Sequence, residues 1–371
     1  MALIWYGLVP IAGAIFGRYR WGQFRRRFDE LRLKPLMDYR QYRQLGNEGG
    51  IFRFTGGIES ITDGHTLWVK GESLTIPVFL ANTQSWLLPA QGEGGTYEAL
   101  EKVRWNRIST LTEGAKVFVG GFLKFQDNRL SFVSTKENPL LVIFYDCPDT
   151  VLTDRIIRTG RDRNDYWNSV TPVSLVIGAL SQLYVAVSFL DRPAFRLTVV
   201  SALVVIFTPV FPIIPPGLLF TVLYRRLAWN ARNLRAYHDL VKLPLRYLPH
   251  GQESGVLSTG EKYVYEKFDT LPAAVKEGGV PLLIPEYSKE RKNSPWYIYG
   301  VPGEDGAPPG RSVDPFVTFG VLPGDPRCLS RIYGIRAYAL ETFAWLLLLL
   351  GIGLNIVFIL VILFLLFGGS L

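Results

Sequence analysis

Chemistry in this 371-residue chain would have to come from three places. One is the turn ITDGHT, where Asp63 stands two positions from His65 with Glu59 a short way upstream, a pairing of imidazole and carboxylate suited to general acid–base work. An Asp-Gly hairpin turn accounts for Asp63 without chemistry, so no catalytic residue is expected there. Cys147, in FYDCPDT, has no histidine near it in sequence and reads as a partly buried thiol rather than a nucleophile. The second place is an interleaving of aromatic and basic residues, Trp68, Trp86 and Trp105 with Lys116 and Lys124, which could stack on bases and track a phosphate backbone. Half of such rings are expected to fill a small barrel core instead, and Glu59, Glu72, Glu93, Glu98, Glu101 and Glu113 dilute any basic stripe, so nucleic acid is not the expected partner. The third is TPVFPIIPPG, with Pro209, Pro212, Pro215, Pro216 and Gly217 inside an uncharged run. Each internal proline removes a backbone hydrogen bond, and a helix broken this way can offer carbonyls to cargo in a transporter. No ionisable side chain lies in that run, which favours a kinked span packed on its neighbours.

There is no GxSxG elbow, Walker loop, HExxH or CxxC pair. Two cysteines and three histidines show no metal-ligand spacing, and no metal or cofactor is expected.

The elements that position these residues are set by four uncharged stretches, at 1–17, 166–190, 197–224 and 342–371. At ~1.5 Å per helical residue the longer ones cross a hydrocarbon core of about 30 Å, so about four transmembrane helices are expected. Positive charge follows the first stretch at once, in RYRWGQFRRRFDELRLK, the reverse of a secretory signal. The first stretch is accordingly a short anchor, with an interfacial helix as the competing arrangement. Arg155, Arg158, Arg161 and Arg163, then Arg225, Arg226, Arg232 and Arg235, flank the middle stretches. By the positive-inside rule these segments are cytoplasmic, which predicts a multi-pass protein of the cytoplasmic membrane with both termini outside. The net charge of +8 is concentrated beside the spans, where it matches anionic lipid headgroups.

Six segments follow: an anchor at 1–17, a basic juxtamembrane helix at 18–49, a β domain at 50–150, a transmembrane hairpin at 166–224, a second cytoplasmic region at 225–333 and a last span at 337–371. Within the β domain, IFRFTGGIESI, TLWVK, LTIPVFLA, KVFVGGFLKF, RLSFVS and LLVIFY alternate in polarity between turn residues, with a long insertion at 82–103. This order resembles the small five-stranded OB barrel, with Gly56-Gly57 and Gly120-Gly121 at the bends. A tethered barrel beside several spans is similar in architecture to NfeD-like proteins and to GIDE-like membrane proteins. The cysteine-rich RING of the latter is missing, so ligase activity is not carried over. The second region opens with the amphipathic LAWNARNLRAYHDLVKL and continues through the strand candidates KYVYEKF, VPLLIPE, SPWYIYGV and DPFVTFGVL. Asp325 is placed to cap the helix that enters the last span.

The expected fold is thus an α+β membrane protein with an OB-like barrel and a second, irregular β region. A non-enzymatic anchor or scaffold that binds a protein partner or its own copies is the expected function. A transporter using the proline break and a membrane-surface enzyme without a recognised motif are the alternatives.

Overall fold

Alternation of apolar and polar residues, with a continuous buried apolar run at 141–145, gives eight strands before residue 146: β1 (Gly50–Thr62), β2 (Thr66–Lys70), β3 (Thr75–Phe79), β4 (Gln84–Leu88), β5 (Glu101–Val103), β6 (Lys116–Gln126), β7 (Arg129–Val133) and β8 (Leu141–Tyr145). The computed structural model describes residues 1–45, 49–62, 65–80, 83–88, 100–103, 115–126, 129–161, 165–207, 217–249, 252–271, 273, 279–284, 295–303 and 307–367, and every statement below concerns these. A second sheet holds β9 (Ser254–Val256), β10 (Lys262–Phe268), β11 (Trp296–Gly300) and β12 (Gly320–Leu322). The helices are α1 (Val9–Arg32), α2 (Tyr39–Gln44), α3 (Asp149–Arg158), α4 (Thr171–Ser188), α5 (Arg196–Val205), α6 (Gly217–Lys242) and α7 (Pro326–Phe367). The chain is therefore mixed α+β. Its residues divide into a helical unit of Met1–Trp21, Gly160–His238 and Arg331–Leu371 and a β unit of Gly22–Thr159 and Asp239–Ser330.

In the β unit, β1, β2, β3, β7 and β6 pair in that order and β6 returns to β1, so five strands close a ring. The β3–β7 contact is parallel and the other four are antiparallel. Closure bends β1, which shows a register shift between Ile58 and Ser60. Gly56, two residues before that shift, admits no side chain, because a Cβ there would lie 2.2 Å from the Lys70 carbonyl oxygen. Strand alternation then sorts the side chains. Val117, Val119 and Leu123 of β6 join Phe54, Leu67, Val69, Val78 and Phe132 in one core, while Phe118 meets the rings of Phe28 at 5.1 Å and Phe316 at 5.5 Å.

The expected insertion at 82–103 contains β4 and β5 instead. β8 pairs with the first half of β6, β4 runs parallel to β8, and β5 pairs with β4. A parallel partner more than fifty residues away leaves no local mark in sequence, and the strand pattern alone therefore does not show this extension. In the second region KYVYEKF is β10 and SPWYIYGV supplies β11, but DPFVTFGVL supplies only β12 and VPLLIPE a single bridge from Leu282 to Val321.

The β unit is tied together by buried cations. Arg53 of β1 makes a two-pronged contact with Asp314, both side chains being 1% exposed, and donates through Nε to the Lys34 carbonyl at 2.7 Å. Arg32 pairs with Asp29 at 2.8 Å and donates to the Phe316 carbonyl at 2.9 Å and the Tyr247 hydroxyl at 2.7 Å. Tyr263, its hydroxyl pushed well above the ordinary value by burial, donates to the Thr318 carbonyl at 2.7 Å.

In the helical unit two helices are long and apolar enough to cross a membrane by themselves, Thr171–Ser188 and Pro326–Leu365, where four were expected. The first uncharged stretch opens with a π turn at Ile4–Leu8 and continues as α1 straight into the arginines, so its uncharged length stays short. The third stretch is divided between α5 and α6, with 208–216 between them. Moreover, α6 carries on to Lys242, so the basic amphipathic helix is a continuation of this stretch rather than a separate element. Small residues let the pieces approach. A Cβ on Gly178 of α4 would lie 2.6 Å from the Tyr6 ring, and one on Gly351 of α7 would lie 2.6 Å from Phe220 of α6.

Candidate functional site

Charge is expensive to bury, so the helical unit is most informative where its uncharged stretches end. Arg18 is the first charged residue after 1–17, Asp165 the last before 166–190 and Glu341 the last before 342–371. These boundaries, far apart in sequence, meet in space. Glu341 accepts from Arg18 at 2.7 Å through Oε2, and its Oε1 lies 3.1 Å from the Arg235 guanidinium. Asp165 accepts from the Tyr224 hydroxyl and from the Tyr166 amide at 2.6 Å, and its other oxygen stands 3.8 Å from Arg232. Arg161 and Arg232 are buried, and the Arg235 side chain is 13% exposed. Burial first, and then the fields of Arg18, Arg161 and Arg232, push Arg235 down to about 10, with Glu341 opposing. The result is an ionic layer rich in arginine.

The β unit holds a cleft of about 490 Å3. One wall is α3, through Val151, Asp154 and Arg158; Leu240 and Leu243 add apolar surface, and segments 281–283 and 311–319 complete the lining. Arg158 is held by Asp154 at 2.9 Å, and the Arg311 guanidinium lies 5.7 Å from the Phe319 ring centroid. Val313, 87% exposed, stands among the lining residues.

The residues singled out from sequence are scattered. Trp68 of β2 is half-buried, donates to Thr62 Oγ1 at 3.1 Å and carries the Arg129 guanidinium 5.7 Å from its ring centroid. Trp86 packs on Phe24 of α1, centroids 4.6 Å apart, so its ring serves packing. Lys116 is paired with Asp149 at 2.8 Å, whereas Lys124 is exposed. Trp105, Asp63, Pro209, Pro212, Pro215 and Pro216 lie outside the described residues. His65 and Glu59 are exposed. Cys147 is half-buried, and burial pushes its thiol up against the opposing pull of Arg155. Gly217, the last residue of the broken segment, is buried and donates its N–H to Asn355 Oδ1 of α7 at 2.8 Å. Sequence reasoning weighed only the basic residues at the stretch boundaries and so missed Asp165 and Glu341. Their position as the last charges before uncharged runs was the signal available.

Scanned against protein-family models and searched against curated proteins and solved structures, the chain finds no match.

Proposed function

We propose that the chain is an integral membrane protein that anchors its β unit at a bilayer surface as a non-enzymatic scaffold for a protein partner or a second copy. The observation carrying this reading is the convergence of charge boundaries: the ends of the uncharged stretches at Arg18, Asp165 and Glu341, with Arg232 and Arg235, gather in one ionic layer. Uncharged helix on one side of a shared charged level is what a hydrocarbon–headgroup boundary demands. Exposed apolar side chains along α4 and α7, among them Val176, Leu180, Leu354, Val357, Val361 and Phe364, need an apolar solvent for the same reason. In this reading α4 and α7 span, and the first stretch and the facing ends of α5 and α6 pack beside them. The arginine bias favours a cytoplasmic β unit. Its five-stranded ring, with the parallel β3–β7 contact, is read as an OB-like barrel, and the cleft is the partner's seat.

A transport role for the proline-rich break is less well supported. The N–H that opens α6 at Gly217 is already satisfied by Asn355, which favours a structural break sealed by a neighbour.

Alkaline carbonate washing of membranes from cells making the chain tests the anchor, and thiol labelling tests the side. The chain should stay in the pellet. With Cys147→Ser and Cys328→Ser as background, Ala194→Cys should react with an impermeant maleimide in intact cells and Val313→Cys only after permeabilisation. Release into the wash would overturn the reading; labelling of Val313→Cys in intact cells would reverse the orientation.

A further inference from the structure

One wall of the cleft in the β unit is a strand edge. Segment 281–283 lies beside β12, where the Leu283 N–H donates to the Val321 carbonyl at 3.2 Å and the Val321 N–H donates to the Pro281 carbonyl at 3.0 Å. Gly320 permits this approach, because a Cβ there would lie 2.7 Å from the Leu283 side chain and 2.9 Å from the Pro281 carbonyl oxygen. Val280 and Ile284 are buried, so the segment is held on both flanks. Successive residues of a strand turn their backbone groups to opposite edges. Leu282 is the bridge residue between the two that bond to β12, so its N–H and C=O face the other way. Among the described residues neither group has a hydrogen-bond partner.

An open edge is a template for a further strand. Leu282 lines the cleft together with Val151 of α3 and Val313, and all three side chains are apolar and exposed. The cleft's volume, about 490 Å3, lies within the range of roughly 300–1,000 Å3 that buries a small ligand. A lipid chain could fill such a space, but it would cover the Leu282 backbone groups and satisfy neither, which is costly. An extended peptide meets both with its own main chain and buries its side chains against the walls.

We infer that the cleft takes an extended apolar segment of a partner protein, which adds to the sheet as a strand along the open edge at Leu282. The Leu282 N–H donates to a carbonyl of that segment, the Leu282 carbonyl accepts one of its N–H groups, and its apolar side chains meet Val151 and Val313. The residue that donates to Leu282 cannot be proline, which has no N–H to give. The inference rests on the reading of the cleft as the partner's seat.

The probe is a phage-displayed library of random dodecapeptides selected on the purified full-length chain. Enriched peptides are synthesised with a fluorophore and titrated by fluorescence anisotropy. They should be apolar, and Val151→Asp, which tests the cleft itself, should abolish their binding. Methylating the peptide's backbone nitrogens one at a time should weaken binding at least about tenfold at the single position that donates to Leu282, the effect of one lost buried hydrogen bond. Leu282→Pro, which removes the chain's own donor and spares both bonds to β12, should weaken binding at least as much, and Leu282→Ala, which keeps that donor, by less. Should Leu282→Pro fail to fold, the methylation scan leaves the chain untouched and still decides. Peptides that need Val151 yet tolerate methylation at every position would sink the strand and leave the cleft as the seat. Peptides indifferent to Val151→Asp, or no enrichment at all, would remove both readings. Self-association of the chain that Leu282→Pro abolishes would make the occupant a second copy and overturn the partner assigned here.

Discussion

The hydroxyl of Tyr166 donates to the carbonyl of Tyr6 at 2.6 Å, across 160 residues of sequence. Pro10 explains the need. Lying four residues after Tyr6, it has no N–H to return to that carbonyl, and the helix begins with a π turn in the same place. Asn168 adds a second tie, donating to the Pro10 carbonyl at 2.9 Å.

Tyr166→Phe should therefore destabilise the purified chain by about 1–3 kcal/mol, the cost of an unmet buried acceptor. In a Pro10→Ala background, where the substituted residue supplies the missing N–H, the same change should cost clearly less. Thermal unfolding of the four proteins of this cycle checks it, and additive losses would count against the relationship.

The buried Arg53–Asp314 contact predicts an asymmetry. Asp314→Ala leaves a guanidinium stranded and should cost about 3–5 kcal/mol, while Arg53→Leu with Asp314→Leu should recover most of that loss. Denaturant unfolding monitored by tryptophan fluorescence separates the two cases.

Glu261 gives a pH dependence. Burial alone raises its carboxyl, but hydrogen bonds from Ser312, Thr259 and Val313 outweigh this and hold it below the ordinary 4.5. A carboxyl lowered in the folded state stabilises above its unfolded value, and that stability is lost as pH falls below about 4.5. The Val313 amide should exchange hydrogen faster, after correction for intrinsic rates, as pH drops from about 5.5 to about 3.5, a window that brackets the unfolded value. Glu261→Gln should flatten that dependence.

Gly56→Ala places a methyl group 2.2 Å from the Lys70 carbonyl oxygen, with backbone rather than a flexible side chain to be moved. A loss of roughly 2–4 kcal/mol is expected, in the range of severe overpacking. Gly22→Ala, where nothing lies within 4 Å of the added carbon, is the contrasting control: inside α1 it should leave stability unharmed or raise it by about 0.5–1 kcal/mol in the same thermal measurement.

Local patterns carried much of this fold. TLWVK and KVFVGGFLKF read as strands from their alternation, and Asp325 does cap α7, accepting from the Arg327 amide at 3.0 Å. What escaped was everything decided by distant partners. Nothing near Gln84–Leu88 signals its parallel neighbour β8, and nothing near Arg53 signals Asp314. Arg32 was the more deceptive case. Within RRRFDELRLK it counts as a topology charge, yet its guanidinium is buried against the Phe316 carbonyl and Thr318. Composition reports that a cation is present, and only the packed chain reports whether water reaches it. The candidate site was half legible for the same reason: its arginines stand out in any reading of the sequence, but the pairing of Arg18 with Glu341 does not.

That pairing also sets a clock. Arg18 and Glu341 are 323 positions apart, so at ~5–20 residues per second the arginine leaves the ribosome roughly 16–65 s before its carboxylate exists. Through that interval its charge must be met by water or by another partner. The first stretch thus docks in two steps: its contacts with Tyr166 and Gly178 become available about midway through that interval, and the tie to Glu341 only at its end.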